Sequence, residues 1–219
     1  MLEFARVIVD ANERASRHFA GLQKRHRLRF GACEDCVAAW VPEVLRNFIV
    51  RYPQIDLEYT IALSVDLIAK FDAGELDVVL CKRRPNNDRG ILVGRDPIVW
   101  VSSGEALVFS GKEIQLILYP PPSITRFMAL TALERAAIPW RISCTSDSLS
   151  GLATAARAGL GVMAHSRTFI PEGLVECGPV QNLPPIGEAE FALLETRGRL
   201  KEPITQLREA ILAKSKDFF

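Results

Sequence analysis

Residues 42–80 read PEVLRNFIVRYPQIDLEYTIALSVDLIAKFDAGELDVVL, and the changes of period inside this stretch decide the fold. Pro42 suits the first turn of a helix. Val41, Val44, Leu45, Phe48 and Ile49 then share one face, and Tyr52-Pro53 stops it. Ile55 to Ile61 alternates as a strand does. Ser64 can cap a second helix, which carries Leu67, Ile68 and Phe71 and ends at Gly74. Leu76 to Leu80 is short and apolar, as a buried parallel strand should be. Upstream, Leu28 to Gly31 reads as a brief strand running into the loop Ala32-Cys33-Glu34-Asp35-Cys36. The order is therefore β-α-β-α-β, and right-handed crossovers gather its three strands into one parallel sheet.

The same grammar occurs again downstream. Lys82 to Asp88 reads as a polar loop, and Ile98 to Val101 is a continuous apolar run near which the chain pivots. A strand at Leu116 to Tyr119 leads through Pro120-Pro121-Pro122-Ser123 into a helix over Ile124 to Ala137. A strand at Arg141 to Cys144 and a helix over Leu149, Leu152 and Ala156 follow. Gly159-Leu160-Gly161 then turns the chain into a strand at Val162 to Ala164. After Pro184-Pro185, Glu190 to Glu195 reads as a returning strand, and Pro203 opens a last helix using Ile204, Leu207, Ile211 and Leu212. Two similar lobes, joined by a chain that crosses and returns, imply a hinged pair around a cleft.

Composition narrows the class. The 219 residues are 48% hydrophobic and 24% charged, which excludes a disordered tail or a disulfide-stapled miniprotein. No apolar run is long enough for a membrane helix, and none follows Met1 as in a signal peptide. Lys plus Arg total 27 and Asp plus Glu 26, giving a net charge of +1 that argues against a nucleic-acid surface. That total hides an asymmetry: residues 1–29 carry +4 and the rest −3. Phe4, Ile8, Ala11, Ala15, Phe19 and Leu22 form a narrow apolar stripe on this basic segment, suited to a partner helix or to a surface helix of the same domain. Five cysteines without a signal peptide read as reduced cytoplasmic thiols.

The motifs that could carry chemistry are sparse. Cys33-Glu34-Asp35-Cys36 has the spacing of a redox dithiol or half a zinc site. The sequence has no second CxxC, the histidines His18, His26 and His165 are scattered, and the acidic pair disfavours a thiolate. Two small thiols packing a tight loop is the simpler reading. Ser64, Ser123 and Ser148 each stand where a strand loop enters a helix, as caps and as openings to a small polar or anionic guest. Gly159-Leu160-Gly161 lies at a helix end, the reverse of a dinucleotide fingerprint. His165 ends a strand and could reach the cleft, but has no neighbouring nucleophile or orienting acid; Lys82-Arg83-Arg84 could bind phosphate, but reads more simply as a solvated basic loop. No catalytic constellation, metal set or cofactor motif is present.

The quoted stretch and residues 145–166, TSDSLSGLATAARAGLGVMAHS, together resemble the co-inducer-binding region of LysR-type transcriptional regulators. The resemblance rests on Val41-Pro42, Leu45, Phe48, Tyr52-Pro53, Ile55, Leu57-Glu58, Ser64, Gly74-Glu75-Leu76-Asp77 and Gly159-Leu160-Gly161-Val162. Residues 91–103, ILVGRDPIVWVSS, are similar to a subgroup that controls motility and virulence genes. The resemblance implies an α/β fold of two Rossmann-like lobes like a type 2 periplasmic binding protein, with a two-strand hinge and an N-terminal linker helix. It implies a linker and dimerisation helix at 2–26, a first lobe of 28–100 plus 195–219 and a second lobe of 101–194. It also implies a non-enzymatic cytoplasmic module that senses a small-molecule effector without a cofactor and self-associates as a dimer or tetramer. DNA would be met only through a winged helix-turn-helix outside this chain. Effector-contacting positions carried over are Cys33, Glu34, Ser64, Ser102, Ser123, Thr145 and His165. Cys33, Cys36 and His165 depart from the family's usual residues, and Glu34-Asp35 would repel a carboxylate effector. A cysteine-based redox regulator, or a solute-binding protein or enzyme on the same two-lobed scaffold, are the alternatives.

Overall fold

The computed structural model describes residues 26–37, 40–84, 87–104, 113–178, 183–196 and 201–219. The expected linker helix lies outside them, apart from His26, which opens the first strand. The first unit runs β1 (His26–Ala32), the single turn α1 (Glu34–Val37), α2 (Val41–Arg51), β2 (Ile55–Ile61), α3 (Ser64–Asp72) and β3 (Val78–Arg83). The second runs β4 (Ile91–Ser102), β5 (Ile114–Leu118), α4 (Ile124–Arg135), β6 (Trp140–Thr145), α5 (Leu149–Arg157) and β7 (Val162–Ser166). A 3-10 turn (Arg167–Phe169), the short β8 (Val175–Glu176), β9 (Gly187–Glu195) and α6 (Lys201–Ser215) complete the described chain.

The strands order as β2-β1-β3-β9-β4-β7-β5-β6, with β8 beside β4. Each β-α-β-α-β unit thus lays down its strands second, first, third, all parallel, on either side of an antiparallel β9–β4 pair. β9 also pairs antiparallel with β3, so the returning strand is clasped between outgoing ones. This is the two-lobed α/β fold that the repeated sequence grammar implies, with β4 and β9 as the connection.

Apolar periodicity places each core. Leu28 and Phe30 of β1, Val78 and Leu80 of β3, Val44 and Phe48 of α2, and Leu207 and Ile211 of α6 build the first. Ile49 stands exposed on the far edge of α2, so that helix buries a narrower face than its spacing suggested. Beyond the hinge, Leu116, Leu133 and Val162 fill one side of the second sheet and Ile117, Leu152 and Met163 the other. Packing changes lobe between Val93 and Ile98 on β4, and between Ala189 and Phe191 on β9. Trp100 donates its indole N–H to the Pro184 carbonyl (2.7 Å) and pins the chain just before β9. Phe169 packs against Phe191 and Phe219, carrying the turn after β7 onto the first core.

Two local expectations need correction. Lys82 and Arg83 are not in a solvated loop: β3 runs on through them and both are buried. Arg83 donates Nε to Glu190 on β9 (2.8 Å), which also accepts from Arg95 Nε on β4 (3.0 Å). Ser64 does not cap α3. Leu63 holds the cap position, and the Ser64 hydroxyl accepts instead from the Lys82 backbone N–H (2.9 Å). Ser123 and Ser148 do cap their helices, accepting from the N–H groups of Arg126 and Gly151.

Candidate ligand-binding cleft

In a doubly wound α/β lobe, the strand-to-helix loops gather at the carboxyl ends of the strands. Here the loops after β1, β2 and β5 converge on one cavity of about 30 Å³, room for a water or two. Its lining includes Cys33, Glu34, Ser64 and Lys82 from the first lobe, and Tyr119, Ser123 and Thr125 from the second. Of the seven positions carried over from the resemblance, Cys33, Glu34, Ser64 and Ser123 meet here. Ser102 is buried at the far end of β4, where it accepts from the Gly104 N–H (3.3 Å) and neighbours the Cys177 thiol. Thr145 is exposed at the end of β6 and does not line the cavity. His165 is buried in β7 and meets the cleft only through Asp35.

The first-lobe loop crosses the cleft with two carboxylates. Glu34 Oε2 accepts from the Tyr119 hydroxyl (3.0 Å) and from the Leu149 N–H at the start of α5 (2.6 Å). Asp35 is buried, forms an ion pair with the buried Lys82, and accepts from the Ser166 hydroxyl (3.0 Å). His165 Nδ1 lies 4.0 Å from the same carboxylate oxygen, while Nε2 sits 2.9 Å from the Phe169 carbonyl. A further contact joins the lobes where the Arg84 guanidinium lies 3.6 Å from the centroid of the Phe127 ring.

These environments move the titrations in opposite directions. Burial alone would raise Asp35, but Lys82, His165 and Ser166 bring it down to about 2. Burial lowers His165, and Asp35 only partly offsets that, so the ring is neutral near pH 7. Burial raises the Tyr119 hydroxyl, with Asp35 and Glu34 adding to it, so it stays a donor. Burial and the neighbouring Cys33 thiol push Cys36 far up, and burial holds Cys81 at about 12. Among the described residues, no group of three or more His, Cys, Asp or Glu side chains is arranged to hold a metal ion. No helix among them is long and apolar enough to cross a membrane.

Sequence reasoning missed Tyr119, Thr125 and Ser166, set Lys82 aside as a loop residue, and did not separate the role of Asp35 from that of Glu34. Two open grooves of about 440 and 460 Å³ flank Pro184–Ile186, but neither receives the converging strand-to-helix loops.

Residues 22–216 match the family model described as the LysR substrate binding domain. The regulator PecT of Dickeya dadantii (strain 3937) is 26% identical over 192 residues, which cover 88% of this chain and 61% of PecT. The chain thus spans about three fifths of that relative's length. Among solved structures, the CcmR regulatory domain from Synechocystis PCC6803, in complex with 2-PG, superposes with a TM-score of 0.70 at 17% identity, covering 88% of this chain and 98% of that one. The effector-binding domain of QuiR in complex with shikimate gives 0.69 at 12% identity, covering 89% and 99%. At these identities the two structures bear on the fold alone.

Proposed function

We infer what the cleft does from one premise, that this chain belongs to the LysR substrate-binding domain family. It binds a small effector between its lobes and carries out no catalysis. One observation carries this reading: side chains of both lobes line a single cavity, and their hydrogen bonds already cross it. A guest that competes with or adds to those bonds biases the angle between lobes, and through it the packing of subunits. Cys33, Glu34, Ser64 and Ser123 are assigned to direct contact. Ser102, Thr145 and His165 do not line this cavity, and no direct contact is assigned to them.

The expected lobes, 28–100 plus 195–219 and 101–194, are kept as the reading, supported by a change of packing a few residues before those limits, between Val93 and Ile98 and between Ala189 and Phe191. PecT is described as an HTH-type transcriptional regulator, and the chain spans three fifths of it. DNA recognition is therefore assigned to a winged helix-turn-helix outside this segment, self-association to the linker helix, and the working compartment to the cytoplasm. Against the redox alternative stands Cys36, one of the Cys33/Cys36 pair, which is buried and held far from thiolate. A metabolite panel followed by thermal unfolding tests the sensing reading. At least one small polar compound should raise the midpoint by several degrees, because ligand bound only to the folded state stabilises it. The rise should vanish when Ser123→Phe fills the cavity. A panel without effect, or a rise that survives Ser123→Phe, overturns it.

A further inference from the structure

The charges around the cleft restrict what can enter it. Lys82 is the buried cation of the lining, and Asp35 neutralises it directly. Arg126 lies outside the lining and directs Nη1 to the Tyr119 carbonyl (2.9 Å), keeping its charge there. Two helix ends that could attract an anion are occupied within the chain: Ser123 caps α4, while Ser148 and the Glu34 carboxylate take the first N–H groups of α5. Glu34 itself meets only neutral donors. Both its bonds fall on Oε2, and Oε1 has no hydrogen-bond partner among the described residues. The charge left unbalanced in the cavity wall is therefore negative. Around it stand hydroxyls, those of Ser64, Ser123 and Thr125. The cavity is small, about 30 Å³, and open at its mouth, so a small polar headgroup enters it while the rest of a guest stays outside.

We propose that the effector is a small hydroxylated amine whose protonated amino group enters this cavity and pairs with Glu34. An ammonium has three donors and no acceptor. It would satisfy Glu34 Oε1 and neighbouring hydroxyl oxygens together, while the body of the molecule occupies the mouth of the cleft. A carboxylate would face Glu34 in a lining whose one cation, Lys82, is already paired with Asp35. This inference rests on the cleft being the effector site and adds the chemical class of its guest.

Ethanolamine, ethylene glycol and glycolate are near-isosteric probes that differ in charge. Each is titrated into the 219-residue chain at pH 7.5 and matched ionic strength, with the unfolding midpoint as readout. Ethanolamine should raise the midpoint by roughly 5–10 °C once it exceeds its dissociation constant a hundredfold. Ethylene glycol and glycolate should produce no comparable rise. Glu34→Gln keeps an acceptor for Tyr119 and Leu149 but removes the charge, and should abolish the rise. If that variant does not fold, Glu34→Asp keeps the charge on a shorter arm and should weaken ethanolamine at least tenfold. Stabilisation by glycolate in place of ethanolamine, abolished by Ser123→Phe, overturns the amine and leaves the cleft reading standing. A rise with ethanolamine that survives both Glu34→Gln and Ser123→Phe places the guest elsewhere and overturns both. No response to any probe overturns the amine assignment alone.

Discussion

The two lobes share a strand order and differ in what they bring to the interface between them. The first supplies charge: Glu34, Asp35 and Lys82 all come from the loop after β1 or from β3. The second answers with neutral donors, the hydroxyls of Tyr119 and Ser166 and the first N–H of α5. Their corresponding loops explain the division. After β1, Glu34 to Val37 forms a single helical turn with two acids at its start, whereas Tyr119 to Ser123 holds three prolines and leads directly into α4. A repeated backbone therefore does not make a symmetric cleft. The charged lobe reaches across, and the neutral one receives it.

The strongest way to break this arrangement is to remove Lys82. Lys82→Met leaves the Asp35 carboxylate buried with only the Ser166 hydroxyl and a neutral imidazole nearby. Stranding one partner of a buried ion pair costs about 3–5 kcal/mol. That lowers the unfolding midpoint by roughly 10 °C for a chain of this size. Adding Asp35→Asn should return most of the loss, since the pair as a whole is nearly balanced between desolvation and attraction. Thermal unfolding of the two variants decides the matter: equal midpoints would mean that Lys82 acts by packing alone. The wild type carries its own acid limb. Asp35 titrates near 2 when folded and near 3.9 when unfolded, so its contribution is complete above about pH 4 and lost as pH falls toward 2.

How legible these features were in the sequence follows the same divide. Strand and helix positions could be read because apolar spacing is local, and β2 and the α2 stop at Tyr52 fall where the pattern put them. Ser123 and Ser148 were legible as caps because a cap bond spans three residues. Ser64 sits in the same sequence context, yet its hydroxyl is taken by a β3 backbone N–H eighteen residues on, a tertiary choice no local rule contains. Lys82 and Arg83 looked like solvent-facing loop residues because their partners, Asp35 and Glu190, are distant in the chain. A buried lysine is legible only when its acid is known to be near. Ser102 and Thr145 depended on loop geometry at two strand ends, which differ here from one cavity wall to the next.

A weaker test acts from the neutral side. Tyr119→Phe removes one donor to Glu34 and keeps the ring in its buried place. Glu34 retains the Leu149 N–H and can turn toward solvent, so the expected loss is about 1 kcal/mol, a midpoint roughly 2–4 °C lower. Calorimetry on Tyr119→Phe beside Lys82→Met gives the ratio directly. A Tyr119 effect as large as that of Lys82 would contradict the view that charge resides in one lobe.

The smallest effect belongs to His165, and it is one of pH. The unfolded ring protonates near 6.5; in the fold, burial keeps it neutral to lower pH despite Asp35 at 4.0 Å and with Lys82 opposing the proton. A lowered folded pKa means that the unfolded chain takes up the proton first. The contribution of His165 is therefore complete above about pH 6.5 and declines as pH falls below it, by at most about 1.4 kcal/mol per pH unit. His165→Gln can still donate to the Phe169 carbonyl and carries no titrating proton. Asp96, raised by burial, titrates in both proteins and cancels in the difference. Wild-type stability minus that of His165→Gln, measured from pH 7.5 to 5.5, should shrink steadily toward acid. A constant difference would show that the Asp35 carboxylate accommodates an imidazolium at no cost, making the second lobe a contributor of charge after all.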